Sequence, residues 1–240
     1  SRPVFDFQGL CAGMVLAGDY WYFQGFDVTN SANAQKGIQL SGKYNTMDNI
    51  MTYHNGNTGL QVSRYLTTDE FDMWPAYNLI LNCTSYGNAD KGYEDADGFA
   101  AKLTIGEGNT FDGCIAYNNA DDGWDLFAKS ATGPIGVITI RNCVAFNNGT
   151  LSNGVHYANG DMNGFKLGAD QASRINDILT SIDLKSASDA GGIGTSLQKV
   201  ASQANNVGMS LEKTAAIARQ PLQQCHMERR ILGTIRQTPK

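Results

Sequence analysis

The sequence predicts an all-β protein folded as a parallel β-helix, and three observations support this prediction. Charged residues make up only 17% of the 240 residues and Gly is abundant, with 27 copies. This composition suits a turn-rich β protein. A short motif recurs at the spacing of a solenoid, and no amphipathic helix separates its copies over residues 1–168. Short strands at this spacing favour stacked coils over alternating strands and helices.

The recurring motif is Tyr or Phe, then any residue, then Asn. Its four copies end at Asn55, Asn88, Asn119 and Asn148, which are 33, 31 and 29 residues apart. Each copy predicts one coil of the solenoid. Stacked side-chain amides can hydrogen-bond along the axis, so we predict that these Asn residues form a structural ladder.

Each coil also contains a second short strand that is opened by Gly. In three coils an aromatic residue follows this Gly, and we expect Phe99, Trp124 and Phe165 to stack inward rather than serve as sugar platforms. The Gly residues that open these strands are Gly37, Gly59, Gly98, Gly123 and Gly164.

Cysteines recur at matching points of three coils, as Cys83, Cys114 and Cys143, and the chain has an odd total of five. Equivalent positions in a stacked repeat face the same way. The pattern therefore predicts an inward column of reduced thiols rather than disulfides.

The composition changes sharply near residue 169. No Phe, Tyr or Trp occurs after Phe165, and from about Ala169 the chain is rich in Ala, Ser, Gln and Leu at helical spacing. We therefore predict a truncated β-helix domain over 1–168 and an atypical, helical segment over 169–240. This segment either caps the open end of the solenoid or is an unrelated extension.

Net charge narrows the possible partners. Residues 1–168 hold 9 Lys and Arg against 17 Asp and Glu, whereas residues 169–240 hold 9 against 6. An acidic body argues against nucleic acid as a partner and suits a cation site. No apolar stretch is long enough to cross a membrane. The start, Ser-Arg-Pro-Val-Phe, is not a signal peptide, so we expect any export signal to lie outside this chain.

Five charged residues lie beside the Gly-aromatic pairs. Asp97, Asp121, Asp122 and Asp125 form an acidic group, and three Asp within five residues repel one another unless a cation binds. Lys166 follows its opening Gly by two residues, as Asp125 does, so the two should share a column about 4.8 Å apart on adjacent coils. The pattern predicts a metal site with a base beside it.

Three longer motifs connect these residues to a known family. They are Asp97-Gly98-Phe99-Ala100-Ala101-Lys102-Leu103, Asn118-Asn119-Ala120-Asp121-Asp122-Gly123-Trp124-Asp125-Leu126 and Asn163-Gly164-Phe165-Lys166-Leu167-Gly168. Over residues 2–168 the chain resembles the family 9 polysaccharide lyases, which are secreted, calcium-dependent pectate lyases with a right-handed parallel β-helix.

The resemblance implies a site and a substrate. It implies calcium (Ca2+) ligands at Asp97, Asp121, Asp122 and Asp125, and a catalytic base at Lys166. The substrate would be polygalacturonate, the acidic polymer of pectin, cleaved by β-elimination. Removing the C5 proton beside a carboxylate requires that this charge be neutralised, which calcium can do. The base must be neutral, so an ordinary lysine pKa of about 10.4 would have to fall, and we expect an alkaline pH optimum.

Two further residues are candidates for binding substrate carboxylates. Lys102 lies one coil before Asp125 and is displaced from its register, and Arg64 precedes a Pro-containing loop, Tyr65–Pro75, that could form a groove wall.

Two other functions remain open at this level. A β-helix glycoside hydrolase would also use paired carboxylates, although a lysine in register with the Asp group disfavours it. A non-catalytic solenoid that binds acidic polysaccharide through calcium is the second alternative.

Overall fold

A computed structural model describes residues 2–156 and 159–167 of the chain, and they form a parallel β-helix. The predicted all-β solenoid is therefore confirmed for this part. The chain divides into two units, Ser1–Ile182 and Asp183–Lys240, and all described residues belong to the first. The predicted helical segment 169–240 lies outside the described residues. Among those residues, no helix has the length and apolarity needed to cross a membrane.

Three parallel sheets run along the solenoid. Five coils contribute one strand to each sheet, and within the described residues the sixth coil contributes a strand to sheets 1 and 2. Sheet 1 contains β1 (Val4–Asp6), β4 (Asp27–Thr29), β7 (Met51–Tyr53), β10 (Thr84–Tyr86), β13 (Ile115–Tyr117) and β16 (Val144–Phe146). Sheet 2 contains β2 (Met14–Leu16), β5 (Ile38–Leu40), β8 (Leu60–Val62), β11 (Phe99–Ala101), β14 (Trp124–Leu126) and β17 (Phe165–Leu167). Sheet 3 contains β3 (Tyr22–Gln24), β6 (Thr46–Asp48), β9 (Leu79–Leu81), β12 (Asn109–Asp112) and β15 (Ile138–Arg141).

The strands are so short that their pleat decides which residues face the core. In sheet 1 the middle residue of β7 and β10 is buried between two partly buried ones. In sheet 2 the first and third residues fill the core, as Leu60 and Val62 do, so the middle residue lies on the outer face. The middle residues of neighbouring coils pair in register, which gives sheet 2 a continuous outer column.

The predicted Asn ladder is confirmed. The amide nitrogen of each Asn side chain donates to Oδ1 of the next, at 3.0 Å from Asn55 to Asn88, 2.8 Å from Asn88 to Asn119 and 3.0 Å from Asn119 to Asn148. The variable residue that precedes each Asn adopts positive φ, a conformation in which Asn and Gly are common. These residues are His54, Gly87, Asn118 and Asn147.

A second Asn ladder lies at the corner between sheets 2 and 3. Asn78 donates its backbone and side-chain N–H groups to Oδ1 of Asn109, at 3.1 and 2.9 Å, and the backbone N–H of Asn45 donates to Asn78 at 2.9 Å. The Tyr/Phe-x-Asn motif does not include this ladder, so it was not predicted. Its members are 33 and 31 residues apart, the same intervals as in the first ladder, so spacing alone could have revealed it.

The inner face of sheet 2 carries the predicted aromatic stack. The ring centroids of Phe99 and Trp124 are 4.8 Å apart, as are those of Trp124 and Phe165. Close packing requires four of the strand-opening glycines, Gly37, Gly59, Gly98 and Gly123; a Cβ on Gly98, for example, would lie 2.8 Å from the amide nitrogen of Asn119. The thiols of Cys83, Cys114 and Cys143 are free and buried, as predicted.

Candidate metal centre and active site

Sheet 2 places the candidate site through its register. The backbone N–H of Gly98 donates to the carbonyl of Asp122 at 2.9 Å, which aligns Asp97 and Asp122 in the column just before the strands. Asp125 is the middle residue of β14 and pairs with Lys166 of β17. The predicted shared column of Asp125 and Lys166 is thus confirmed, and the charged groups meet at one point of the outer face.

Three of the four predicted ligands form a compact cluster. One carboxylate oxygen from each of Asp97, Asp122 and Asp125 lies within 4.8 Å of the others, and all three side chains are buried. Asp121 lies beside this cluster and is also buried. Its Oδ1 accepts a hydrogen bond from the backbone N–H of Asp161 at 2.6 Å.

The carboxylate of Asp122 has one satisfied and one unsatisfied oxygen. Oδ1 accepts hydrogen bonds from the backbone and side-chain N–H groups of Asn163, at 2.7 and 3.0 Å. Oδ2 is buried and accepts no hydrogen bond from the described residues, while Nζ of Lys166 stands 3.4 Å away. A buried carboxylate oxygen without a donor is costly, and a hard cation with oxygen ligands would satisfy it. The donor set therefore fits a calcium ion.

Lys102 occupies the middle of the acidic cluster. Its Nζ donates to Oδ2 of Asp97 at 2.8 Å and to Oδ2 of Asp125 at 2.7 Å. The predicted displacement of Lys102 from the outer column is present, because it follows β11. Its ammonium group, however, neutralises two of the predicted ligands in this structure rather than pointing away from them.

The charges of the cluster are not balanced by its lysines. Burial, followed by the charge of Asp122, raises the pKa of Asp121 to about 8. Burial likewise raises the pKa of Asp97 to about 7, against the lowering effect of Lys102. The pKa of Asp122 is also raised, again chiefly by burial. Without a further cation, these carboxyl groups retain protons well above the pH at which an ordinary Asp ionises.

Lys166 is held by carboxylates on two sides. Its Nζ lies 2.8 Å from Oδ2 of Asp161 and 5.9 Å from the ring centroid of Phe127. Burial lowers the pKa of Lys166, but the hydrogen bond to Asp161 and the charges of Asp125 and Asp122 outweigh it and leave this pKa above the ordinary value. Asp161 was missed in the sequence analysis because it lies in a loop outside the repeat.

Arg64 follows β8, three coils from Lys166, and its side chain is turned toward the adjoining loop. Its guanidinium donates to the carbonyl oxygen of Asp69 at 3.3 Å, and its backbone N–H donates to the carbonyl of Thr104. The loop Tyr65–Pro75 contains one short 3₁₀ helix, Phe71–Met73. The role of Arg64 in substrate binding stays a prediction.

Comparison with known proteins identifies the family of this chain. The model of the Pel9A-like right-handed β-helix region matches residues 1–210 of this chain. The chain belongs to the Pel9A-like family. This membership confirms the predicted family and the right-handed sense of the solenoid.

Curated relatives of this Pel9A-like chain include two named pectate lyase L. The protein from Thermoclostridium stercorarium is 49% identical over 170 residues, covering 71% of this chain and 14% of the relative. The protein from Paenibacillus polymyxa is 48% identical over 185 residues, covering 75% of this chain and 40% of the relative. The chain therefore spans less than half the length of either relative.

Solved structures show the same architecture. The crystal structure of pectate lyase Pel9A matches with a TM-score of 0.57 and 37% identity, covering 70% of this chain and 40% of that one. A rhamnogalacturonan lyase matches with a TM-score of 0.56 and 26% identity, covering 70% of this chain and 42% of that one.

Proposed function

We propose that this chain is the catalytic part of a pectate lyase that cleaves polygalacturonate by calcium-assisted β-elimination. The observation that carries the proposal is the juxtaposition of a three-carboxylate cluster and a lysine on one outer face of the solenoid. Asp125 and Lys166 pair in register, and Asp122 presents an unsatisfied oxygen toward that lysine. The pectate lyases among its relatives support the same reaction.

In this proposal Asp97, Asp122 and Asp125 hold a calcium ion, and Asp121 completes the acidic group. When bound, calcium supplies positive charge that neutralises a uronate carboxylate and acidifies the adjacent C5 proton. Asn163 orients one ligand by donating two hydrogen bonds to Asp122. Burial of the site keeps water away and strengthens its electrostatic interactions.

Lys166 takes the C5 proton. The bond between C5 and hydrogen breaks, its electrons form the C4–C5 double bond, and the oxygen at C4 leaves with the rest of the polymer. Lys166 must first be neutral, whereas the surrounding carboxylates now favour its charged form. The hydrogen bond to Asp161 is the largest cause of this raised pKa, followed by the charges of Asp125 and Asp122. A divalent cation held by Asp125 and Asp122 would compensate these two charges and so lower the pKa of Lys166.

Lys102 and Arg64 are the proposed contacts to further substrate carboxylates. Lys102 is already in the cluster, so neutralising Asp97 and Asp125 by a cation would release its ammonium group toward the outer face. A polymeric substrate does not cross a membrane, so we also propose that the protein acts outside the cell.

Incubation with polygalacturonate tests the proposed function directly. We expect ultraviolet absorbance from an unsaturated sugar end, dependent on calcium and abolished by a chelator. Reducing ends without this absorbance would indicate a glycoside hydrolase. Calcium-dependent binding without any cleavage would indicate the non-catalytic alternative.

A further inference from the structure

A third lysine lies on the acidic column of sheet 2, two coils before Asp97. The backbone N–H of Gly37 donates to the carbonyl of Thr58 at 3.0 Å, and that of Gly59 donates to the carbonyl of Asp97 at 3.0 Å. These bonds place Lys36, Thr58 and Asp97 at equivalent positions of three successive coils. Because stacked strands are about 4.8 Å apart, Lys36 stands roughly 10 Å along the axis from Asp97.

Lys36 differs from the other two lysines of this face because it has no counter-ion among the described residues. Lys102 and Lys166 each pair with two carboxylates. In the described part of the chain, the Lys36 ammonium makes no hydrogen bond or ion pair, although its side chain is only partly exposed. Burial and the like charge of Lys102 lower its pKa. The Lys36 ammonium is therefore partly desolvated and is repelled by Lys102, and no contact with the described residues offsets this cost.

The intervening coil carries no charge at the two equivalent positions, Thr58 and Gln61. The hydroxyl of Thr58 donates to Oδ2 of Asp97 at 3.0 Å and is fully buried, so it does not compete for a ligand. The outer column beside it carries Gln39 and Gln61, which are neutral. At these equivalent positions of sheet 2, Lys36 is therefore the next charged residue before Asp97.

We propose that Lys36 binds a carboxylate of a uronate polymer that lies along sheet 2 while another of its carboxylates occupies the metal cluster. This inference rests on the proposed function and extends it by a second anchoring point. A polyanion with regularly spaced carboxylates can meet two positive sites about 10 Å apart along the axis, whereas a single small anion cannot. Lys36 would thus set the minimum length of a well-bound substrate.

Ligands of two lengths test this inference. In a Lys166→Ala background, which prevents cleavage, binding of hexagalacturonate and digalacturonate is measured by calorimetry in the presence of calcium. Lys36→Gln should weaken hexamer binding roughly three- to tenfold, the range of one partly exposed charge pair. It should leave binding of the dimer unchanged, because the dimer's carboxylates are only one sugar repeat apart.

The matched control is Lys91→Gln, which removes the same charge from an exposed lysine in the loop that contacts Asn33 on this side of the solenoid. It should change neither affinity. The melting temperature of Lys36→Gln should equal or exceed that of the parent, because an unpaired, partly buried charge has been removed. A lower melting temperature with equal losses for both ligands would instead identify a structural lysine and overturn the inference.

The outcomes separate this inference from the proposed function. If Lys36→Gln binds hexamer as tightly as Lys91→Gln does in the Lys166→Ala background, while the unsubstituted protein cleaves polygalacturonate, only the Lys36 site is wrong. If hexamer binding depends on Lys36 but the unsubstituted protein produces no unsaturated ends, the proposed chemistry fails and the binding site stands. If the parent binds no uronate oligomer, both are overturned.

Discussion

The inner face of sheet 2 follows the sequence repeat, whereas its outer face departs from it. The inner face repeats the same kind of residue in coil after coil, as in Leu60, Phe99 and Trp124, which are all fully buried. The outer column changes from neutral Gln61 and Ala100 to charged Asp125 and Lys166 within two coils. The backbone is the same on both sides. The periodic residues therefore determine the fold, whereas the residues that depart from the repeat carry the proposed function.

The strongest test of this division is Lys166→Ala, on the outer face. A positioned general base contributes about 10²- to 10⁴-fold, so turnover should fall by at least that much while calcium affinity and melting temperature stay near the parent values. Product absorbance, calorimetry with calcium and thermal unfolding measure the three quantities. Lys129→Ala, at an exposed position, is the control. Retention of most activity would remove Lys166 as the base.

A change on the inner face should do the reverse. Leu60→Ala leaves a cavity in the core and should lower the free energy of unfolding by about 2–5 kcal/mol. Urea unfolding measures this loss. Because Leu60 lies three coils from Lys166, kcat measured where the variant is still folded should stay within about threefold of the parent. A variant of unchanged stability but lost turnover would contradict the separation of the two faces.

Asp125→Asn removes a charge from the proposed metal cluster without changing side-chain size. The calcium concentration for half-maximal activity should rise by about 10- to 100-fold, since a ligand loses its charge. Titration of activity with calcium measures this. Asp112→Asn, on sheet 3 and paired with Arg141, is the matched control. An unchanged calcium requirement would exclude Asp125 as a ligand.

The smallest expected effect is the dependence of stability on pH. The folded-state pKa values of about 7 for Asp97 and about 8 for Asp121 exceed the ordinary 3.8. The folded state therefore retains protons that the unfolded state releases, and the metal-free protein should lose stability as pH rises from about 4 to about 8.

Calcium requires the ionised carboxylates, so its effect has the opposite sign. The rise in melting temperature on adding calcium should be larger at pH 8.5 than at pH 6, by several degrees. Thermal unfolding at both values, with magnesium as a second cation, measures it. An equal rise at the two pH values would contradict the raised pKa values of Asp97 and Asp121.

The sequence predicted those features that obey the repeat. The coil register, the ladder from Asn55 to Asn148, the aromatic stack and the pairing of Asp125 with Lys166 all follow from fixed distances to a Gly or an Asn. The second ladder has the same spacing. It was missed because its Asn residues come directly after Tyr or Gly and so do not match the motif of Tyr or Phe, any residue, then Asn.

Residues in the variable loops could not be placed in this way. Asp161 contacts Lys166 from a loop whose length has no counterpart in other coils. Lys102 lies just beyond a strand, where the pleat no longer fixes the direction of a side chain, and its ammonium turned to the acidic cluster. Sequence periodicity determines neither contact, because each depends on how a long side chain satisfies local charge.

The two Asn ladders also give the solenoid a direction. In both columns the backbone N–H of each Asn donates to Oδ1 of the next Asn in the column, and the series begins with the backbone N–H of Ser31 to Asn55 and that of Trp21 to Asn45. Aligned hydrogen bonds polarise one another, so the dipoles of the bonds in each column add along the solenoid axis. The two ends of such a stack are chemically different surfaces, one offering donors and the other acceptors. A coil can therefore be added to either end only in one orientation.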